Sequence, residues 1–356
     1  MEALLRRRRT EWTRRAWLPM LALASCLLPP VAGAAPDAGP DAAALPAAEA
    51  RVWLTRIRSA ASGANYQGTM VFSIGGTVSS SRVGHYAVGD QTYEHLEALD
   101  GRQQRILRHN DAVHTLWPQS RVAVIEKRET RAAWSTTPQQ VDPQALELYD
   151  LRREGMARVA GRDAAVFILQ PRDALRYPQR LWADEATGLV LRADVIGLSE
   201  GGTAAAPVLE STQFSEVAIG VKPRPEVVLQ DLRNPRSLDG WRVVRPQQHR
   251  TELAAEGWVL QRPVAGFQLA ACVRRGMETA GDQAPVLQVV FTDGLTHVSL
   301  FIEPYQAQRH RSELRAQQGA TGTLMQRRGE YWVTVVGDVP VPALKLFAEA
   351  LDRRRP

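Results

Sequence analysis

From residue 66 the chain alternates. Tyr66, Gly68, Met70, Phe72 and Ile74 fall on one parity, and Gln67, Thr69, Val71 and Ser73 on the other. A period of two predicts a strand with one apolar face. Just upstream, Trp53, Ile57, Ala60 and Ala61 recur at i, i+4, i+7 and i+8, which predicts an amphipathic helix over 49–61. Strand patterns follow around 78–88, 91–99, 102–109, 112–117 and 121–127, with Asp100-Gly101 as a tight hairpin turn. Residues 143–151 read as a short helix, and strands resume from 152 to about 219. Residues 164–169 are an apolar run, opened by the turn residues Gly161, Arg162 and Asp163 and closed by Pro171. Leu189, Leu191, Ala193 and Val195 alternate with Val190, Arg192, Asp194 and Ile196, predicting one buried and one wetter face. Between these strands, 184–188 is a hairpin loop with its glycine where a positive φ is expected.

Many consecutive strands behind one helix imply a curved antiparallel sheet wrapped on that helix. Pro223 and Pro225 then disfavour both helix and central strand, marking a linker at 221–238. Beyond it, Val286–Thr292 and 295–302 flank Asp293-Gly294 as a hairpin, and 331–336 is another strand. Pro342 opens a helix with Leu344, Phe347, Ala348 and Leu351 on one face. The fold class is α+β, this curved antiparallel sheet on a helix followed by a smaller C-terminal α+β domain. The expected division is a signal peptide at 1–34, a disordered spacer at 35–48, a first domain at 49–220 and a second at 239–356.

Charge changes the picture at the N-terminus. The formal net charge is +6, but residues 1–34 carry six arginines and two glutamates, +4 of that total. Arg6 to Arg15 is a charged region, 16–28 an apolar one that is short for a membrane span, and Ala32-Gly33-Ala34 offers small residues for cleavage. Export across the membrane follows. Leu23-Ala24-Ser25-Cys26 also has the form of a lipid-attachment box, and Arg14-Arg15 that of a twin-arginine signal. Ordinary secretion is preferred, because apolar residues continue past Cys26 and nothing downstream suggests a preloaded cofactor. Cleavage at Ala34 leaves Cys272 as the one cysteine, a buried strand thiol. Pro36 to Pro46 is rich in Ala, Pro, Gly and Asp, which supports the spacer.

No nucleophile elbow, zinc-protease helix, phosphate loop or dinucleotide fingerprint occurs, and the seven histidines are scattered. The chain therefore reads as a protein without catalytic activity, metal or cofactor, although a triad assembled in space would not be visible here. No basic stripe interleaved with aromatics supports nucleic-acid binding. Arg309-His310-Arg311 and Arg327-Arg328 read as solvated faces or as a docking surface for an acidic peptide.

Three stretches together carry a family resemblance. One holds V-x-G-R at 159–162, P-x-D at 171–173, R-Y at 176–177 and R-L-W-x-D-x-x-T-G-L-x-L-R at 180–192. The second is N-Y-Q-G-T at 65–69 with S-S-S-R-V-x-H at 79–85, and the third V-T-V-V-G-D-V-P at 333–340. In this order, from about residue 50 to the C-terminus, they resemble the sigma-E regulatory protein (RseB/MucB) family of Gram-negative bacteria. The resemblance implies a first domain like the half-barrel of lipoprotein carriers, whose concave face holds acyl chains. It implies a periplasmic regulator that binds the periplasmic region of a membrane-bound anti-sigma factor and shields it from proteolysis. A lipid signal, by analogy lipopolysaccharide, would release the complex. The alternative is a periplasmic lipid or lipoprotein carrier; a hydrolase is a third reading, and homo-oligomerisation stays open. The candidate lipid-binding residues are Tyr66, Met70, Phe72, Ile74, Phe167, Leu181, Trp182 and Phe214. The bland reading of the same stripe is a half-buried strand. Arg82 and His85 are either polar contacts near the cavity mouth or ordinary cross-strand partners.

Overall fold

The computed structural model describes residues 43–127, 143–198, 206–233, 238–276 and 285–354. The expected signal peptide, Cys26 and most of the spacer lie outside these residues. Helix α1 (Ala47–Gly63) forms where the spacing predicts it, with Trp53, Ile57, Ala60 and Ala61 buried alongside Ala50 and Leu54. Strands β1 (Tyr66–Ile74), β2 (Thr77–Val88), β3 (Gln91–Ala98), β4 (Arg105–His109), β5 (Ala112–Trp117) and β6 (Val122–Lys127) form an antiparallel meander. A second meander follows: β7 (Tyr149–Val159), β8 (Arg162–Pro171), β9 (Gln179–Asp184), β10 (Val190–Ile196) and β11 (Val208–Ile219). Strand β11 pairs with β1 and joins the two. Helix α2 (Glu226–Arg233) comes next, and the short β12 (Arg242–Val244) pairs parallel with β6. The resulting order, β12-β6-β5-β4-β3-β2-β1-β11-β10-β9-β8-β7, has two ends, so this twelve-stranded sheet is open. Residues 242–244, placed by the sequence pattern in the second half, thus complete the first sheet.

The C-terminal half contains β13 (Gln248–Arg250), β14 (Trp258–Leu260), β15 (Gln268–Arg275), β16 (Val286–Thr292), β17 (His297–Pro304), β18 (Leu314–Gln318), β19 (Thr321–Arg328), β20 (Tyr331–Gly337), α3 (Val341–Ala350) and β21 (Leu351–Arg353). Seven of these strands form a sheet in the order β13-β15-β16-β17-β20-β19-β18, and β14 pairs with β21. The apolar face of α3, Leu344, Phe347 and Ala348, packs on Val289, Phe291, Leu300, Val333 and Val335. Cys272 is buried in this half, and burial pushes its thiol up to about 11. The fold is therefore the expected open half-barrel on a helix followed by a smaller α+β part. Among the described residues no helix is long and apolar enough to cross a membrane.

Three local expectations fail for identifiable reasons. Residues 143–151 give only a 3-10 turn, Pro143–Glu147, because Tyr149 and Leu151 enter the β7–β8 ladder opposite Pro171 and Leu169. Asp100-Gly101 is part of a wider loop. The Asp100 carboxylate accepts hydrogen bonds from the Ser80 N–H at 2.8 Å and the Ser80 hydroxyl at 2.6 Å, tying the loop to β2. The wetter face of β10 is not wet: Val190, Asp194 and Ile196 are all buried. The register of β10 on β9 shifts between Val190 and Arg192, and this bulge at Leu191 puts Val190 in the same cluster as Ala193.

Candidate functional site

The apolar stripe of β1 continues across the sheet. Phe72 lies opposite Thr212, Thr212 opposite Ala193, Ala193 opposite Leu181, and Leu181 opposite Phe167. Directly opposed residues share a face, so Phe72, Leu181 and Phe167 belong to one side of five adjacent strands. Helix α1 packs on that side, with the Trp53 and Phe167 rings 4.7 Å apart. Phe167 and Leu181 are fully buried beneath Trp53, Leu54 and Ile57. Tyr66, Met70, Trp182 and Phe214 fall in a second cluster with Val83, Val166, Leu189 and Leu191, and Phe72 packs at its edge. Tyr66 meets Phe214 edge to face at 5.8 Å.

The eight sequence candidates therefore do not form one wall. Leu181 and Trp182 are consecutive in an unbroken register with Phe167 and Val166, so they point to opposite faces of β9. The Arg192 guanidinium sits 4.4 Å over the Trp182 ring. Ile74 is in neither cluster; it lies at the end of β1 beside Gly319 of the C-terminal half. Two cavities, of about 220 and about 660 Å³, have none of the eight in their linings.

The same face turns polar on the other side of β1. Tyr66 lies opposite His85, His85 opposite Glu94 and Glu94 opposite Arg108. The His85 ring stacks on Tyr66 at 5.3 Å and donates through Nδ1 to the Ala64 carbonyl at 2.8 Å. Glu94 stands 3.6 Å from His85 and 3.7 Å from Arg108. Arg82 faces Glu97 at 3.5 Å. Both residues of the S-S-S-R-V-x-H segment thus make cross-strand pairs, the plainer of their two readings.

A buried polar network joins the two sheets. Arg176 Nε donates to Asp293 Oδ2 at 2.6 Å, and the Tyr149 hydroxyl donates to the same oxygen at 2.9 Å. Arg176 also donates to the Ala265 carbonyl at 2.8 Å, pairs with Asp173, and lies 4.5 Å over the Phe267 ring. Asp293 Oδ1 accepts from the backbone N–H groups of Leu295 and Thr296, which shapes the β16–β17 turn. Burial, then the Asp293 carboxylate, holds the Tyr149 hydroxyl far above the usual phenol range. Further links flank this one. The Ala320 N–H donates to Glu210 at 2.9 Å, Gln317 donates to the Tyr177 hydroxyl at 3.3 Å, and Arg275 meets Glu126 at 2.8 Å.

Sequence reading marked Arg176, Tyr177 and Asp173 as motif positions and Asp293 as a turn residue. It did not connect them, because the pairing spans 117 residues. Arg176 is the largest side chain in the fully buried set. Arg309 and His310 both lie against Glu303, and Arg327 lies 4.0 Å over the Tyr305 ring. Intramolecular contacts therefore engage much of that basic surface.

Comparison with known proteins follows the same two-part division. The family model for the MucB/RseB N-terminal domain matches residues 49–234, and that for the MucB/RseB C-terminal domain matches 252–352. The chain is 30% identical to the sigma factor AlgU regulatory protein MucB of Pseudomonas aeruginosa, over 83% of this chain and 88% of that protein. It is 25% identical to the sigma-E factor regulatory protein RseB of Haemophilus influenzae, over 85% and 90%. The solved complex of Pseudomonas aeruginosa MucA and MucB superposes with a TM-score of 0.63 at 28% identity, covering 86% of this chain and 100% of that one. A second structure, MucB with the periplasmic part of MucA, gives 0.61 with the same identity and coverage.

Proposed function

The chain belongs to the MucB/RseB family, and from that premise we propose that it is a periplasmic regulator of an envelope-stress sigma factor. It binds the periplasmic region of a membrane-bound anti-sigma factor and shields it from the protease that initiates its destruction. The supporting observation is that similarity runs through both halves, to a relative whose solved complexes contain MucA. A carrier of lipids shares the apolar face of β1 but leaves the C-terminal sheet without a role.

Release requires a ligand that binds the free protein more tightly than the complex. An acyl lipid is the proposed signal, lipopolysaccharide by family analogy. Its chains enter on the α1 side of the sheet, where Phe72 lies at the cluster edge and Met70 and Phe214 lie deeper. Titration of the purified protein with the periplasmic segment of its organism's anti-sigma factor tests the first step. Saturable binding, slower proteolysis of the bound segment, and its release on adding lipopolysaccharide are expected. No binding to that segment sinks the regulator reading; binding without release by lipid sinks only the signal.

A further inference from the structure

We propose that the cavity of about 220 Å³ between α2 and the face of β2–β4 opposite the His85 row is a binding site for a small oxyanion, phosphate-like in charge and size. This inference does not rest on the lipid reading. Gln67, which faces this cavity, is on the other parity of β1 from Met70 and Phe72.

Charge carries the proposal first. Arg82, Arg105 and Arg224 line the cavity with one carboxylate, Glu97, which pairs with Arg82 at 3.5 Å. Outside the lining, Arg224 pairs with Glu226 at 3.5 Å, which leaves three cations against two carboxylates. They come from β2, β4 and the segment just before α2, so tertiary folding brings the guanidinium groups together from three places in the sequence. Guanidinium groups match oxyanions because their planar forks donate in pairs. Size restricts the ligand. Drug-sized pockets run at roughly 300–1,000 Å³, so this space suits a compact group rather than an acyl chain.

The second observation is His95. Its imidazole lies over Gly84, where a Cβ would come within 2.2 Å of Cε1, so glycine on β2 is what admits the ring. Tyr86 stacks beside it, with ring centroids 6.1 Å apart. His95 Nδ1 is buried and makes no hydrogen bond within the protein. A buried polar atom without a partner is costly, and here it belongs to a residue lining a cationic cavity. Burial holds the imidazole below its ordinary value; Glu97 opposes this, while Arg105, Arg82 and Arg224 each push it further down. The three cations thus act together on the ring, and an oxyanion among them reverses that effect.

The test is a titration of the purified full chain, labelled at histidine Cε1, with inorganic phosphate at constant ionic strength. The resonance that is missing from a His95→Gln variant should shift saturably, and the pKa it reports should rise. Arg224→Gln and Arg82→Gln, at exposed positions, should each weaken phosphate roughly tenfold, the scale of one charge-assisted contact, with unchanged circular dichroism. A parallel arm uses phosphatidylcholine vesicles with and without phosphatidic acid. Vesicle binding lost in the same variants assigns the oxyanion to a lipid headgroup; response to phosphate alone assigns it to a free anion. A His95 shift that does not saturate, or that both arginine variants leave intact, overturns the site.

Discussion

Arg176 Nε lies 2.6 Å from Asp293 Oδ2, and neither side chain has any exposed surface. One residue belongs to the loop between β8 and β9 of the first sheet, and the other to the β16–β17 turn of the second. A charge pair with no access to water is held by geometry and by further hydrogen bonds, supplied here by Tyr149, Ala265, Leu295 and Thr296. Asp293→Asn removes the fully buried one of the two carboxylates on Arg176, leaving only the partly exposed Asp173, and should cost up to about 3 kcal/mol, the lower end for a broken buried pair. Arg176→Met with Asp293→Leu removes both charges and should be less damaging than Asp293→Asn alone. Chemical denaturation of the three proteins measures this; a loss under about 1 kcal/mol for Asp293→Asn, the scale of exposed pairs, would show that the pair does not hold the halves together.

Asp184 gives a pH dependence of definite sign. Burial opposes its ionisation, but hydrogen bonds from Arg162 and Thr187 outweigh this and keep the carboxyl below its usual value. A carboxylate with a lowered native pKa contributes stability above its unfolded value, near 4, and loses it as pH falls through the native one. Wild type should therefore lose more stability than Asp184→Asn between about pH 5 and pH 2. Paired melting curves across that range decide it, and parallel curves would rule it out.

Gly319 sits at φ +60°, where a Cβ would meet Glu210 at 2.6 Å and Ile74 at 2.8 Å. Both contacts are with the first sheet. Gly319→Ala combines backbone strain with this clash and should destabilise by more than about 1 kcal/mol. Gly329→Ala is the control, at a similar φ of +58° but with open space around it. Equal melting temperatures for the two variants would mean that strain alone acts and the contact between the halves is unimportant.

Phe72→Asp tests the lipid face. Phe72 is only half-buried, so the variant has a better chance of folding than one at Met70. An unpaired charge beside an acyl chain loses its hydration, and lipopolysaccharide binding should disappear. Leu269→Asp, at an exposed position of the C-terminal sheet, is the control and should keep it. A folded Phe72→Asp protein that binds lipopolysaccharide as tightly as wild type removes the assignment; equal loss in both variants points to general destabilisation.

The sequence by itself determined the elements whose periodicity is driven by burial on one side. Helix α1, β1 and the strands around it follow from spacings that only an apolar face explains, and Leu344 and Phe347 marked the packing face of α3 in advance. Its motifs also carried the family, because they combine turn residues with paired charges in a fixed order. Only the tertiary structure decided three other things. It decided which faces are covered, since a single bulge at Leu191 undoes the alternation of β10. It separated Leu181 from Trp182, because whether an apolar residue lies under α1 or on the reverse side depends on register and not on hydrophobicity. And it brought Arg176 to Asp293, and Arg82 to Arg105 and Arg224, across separations that no local pattern encodes. Local sequence sets conformation through short-range sterics and periodic burial, whereas charge meets charge only where the chain as a whole has closed.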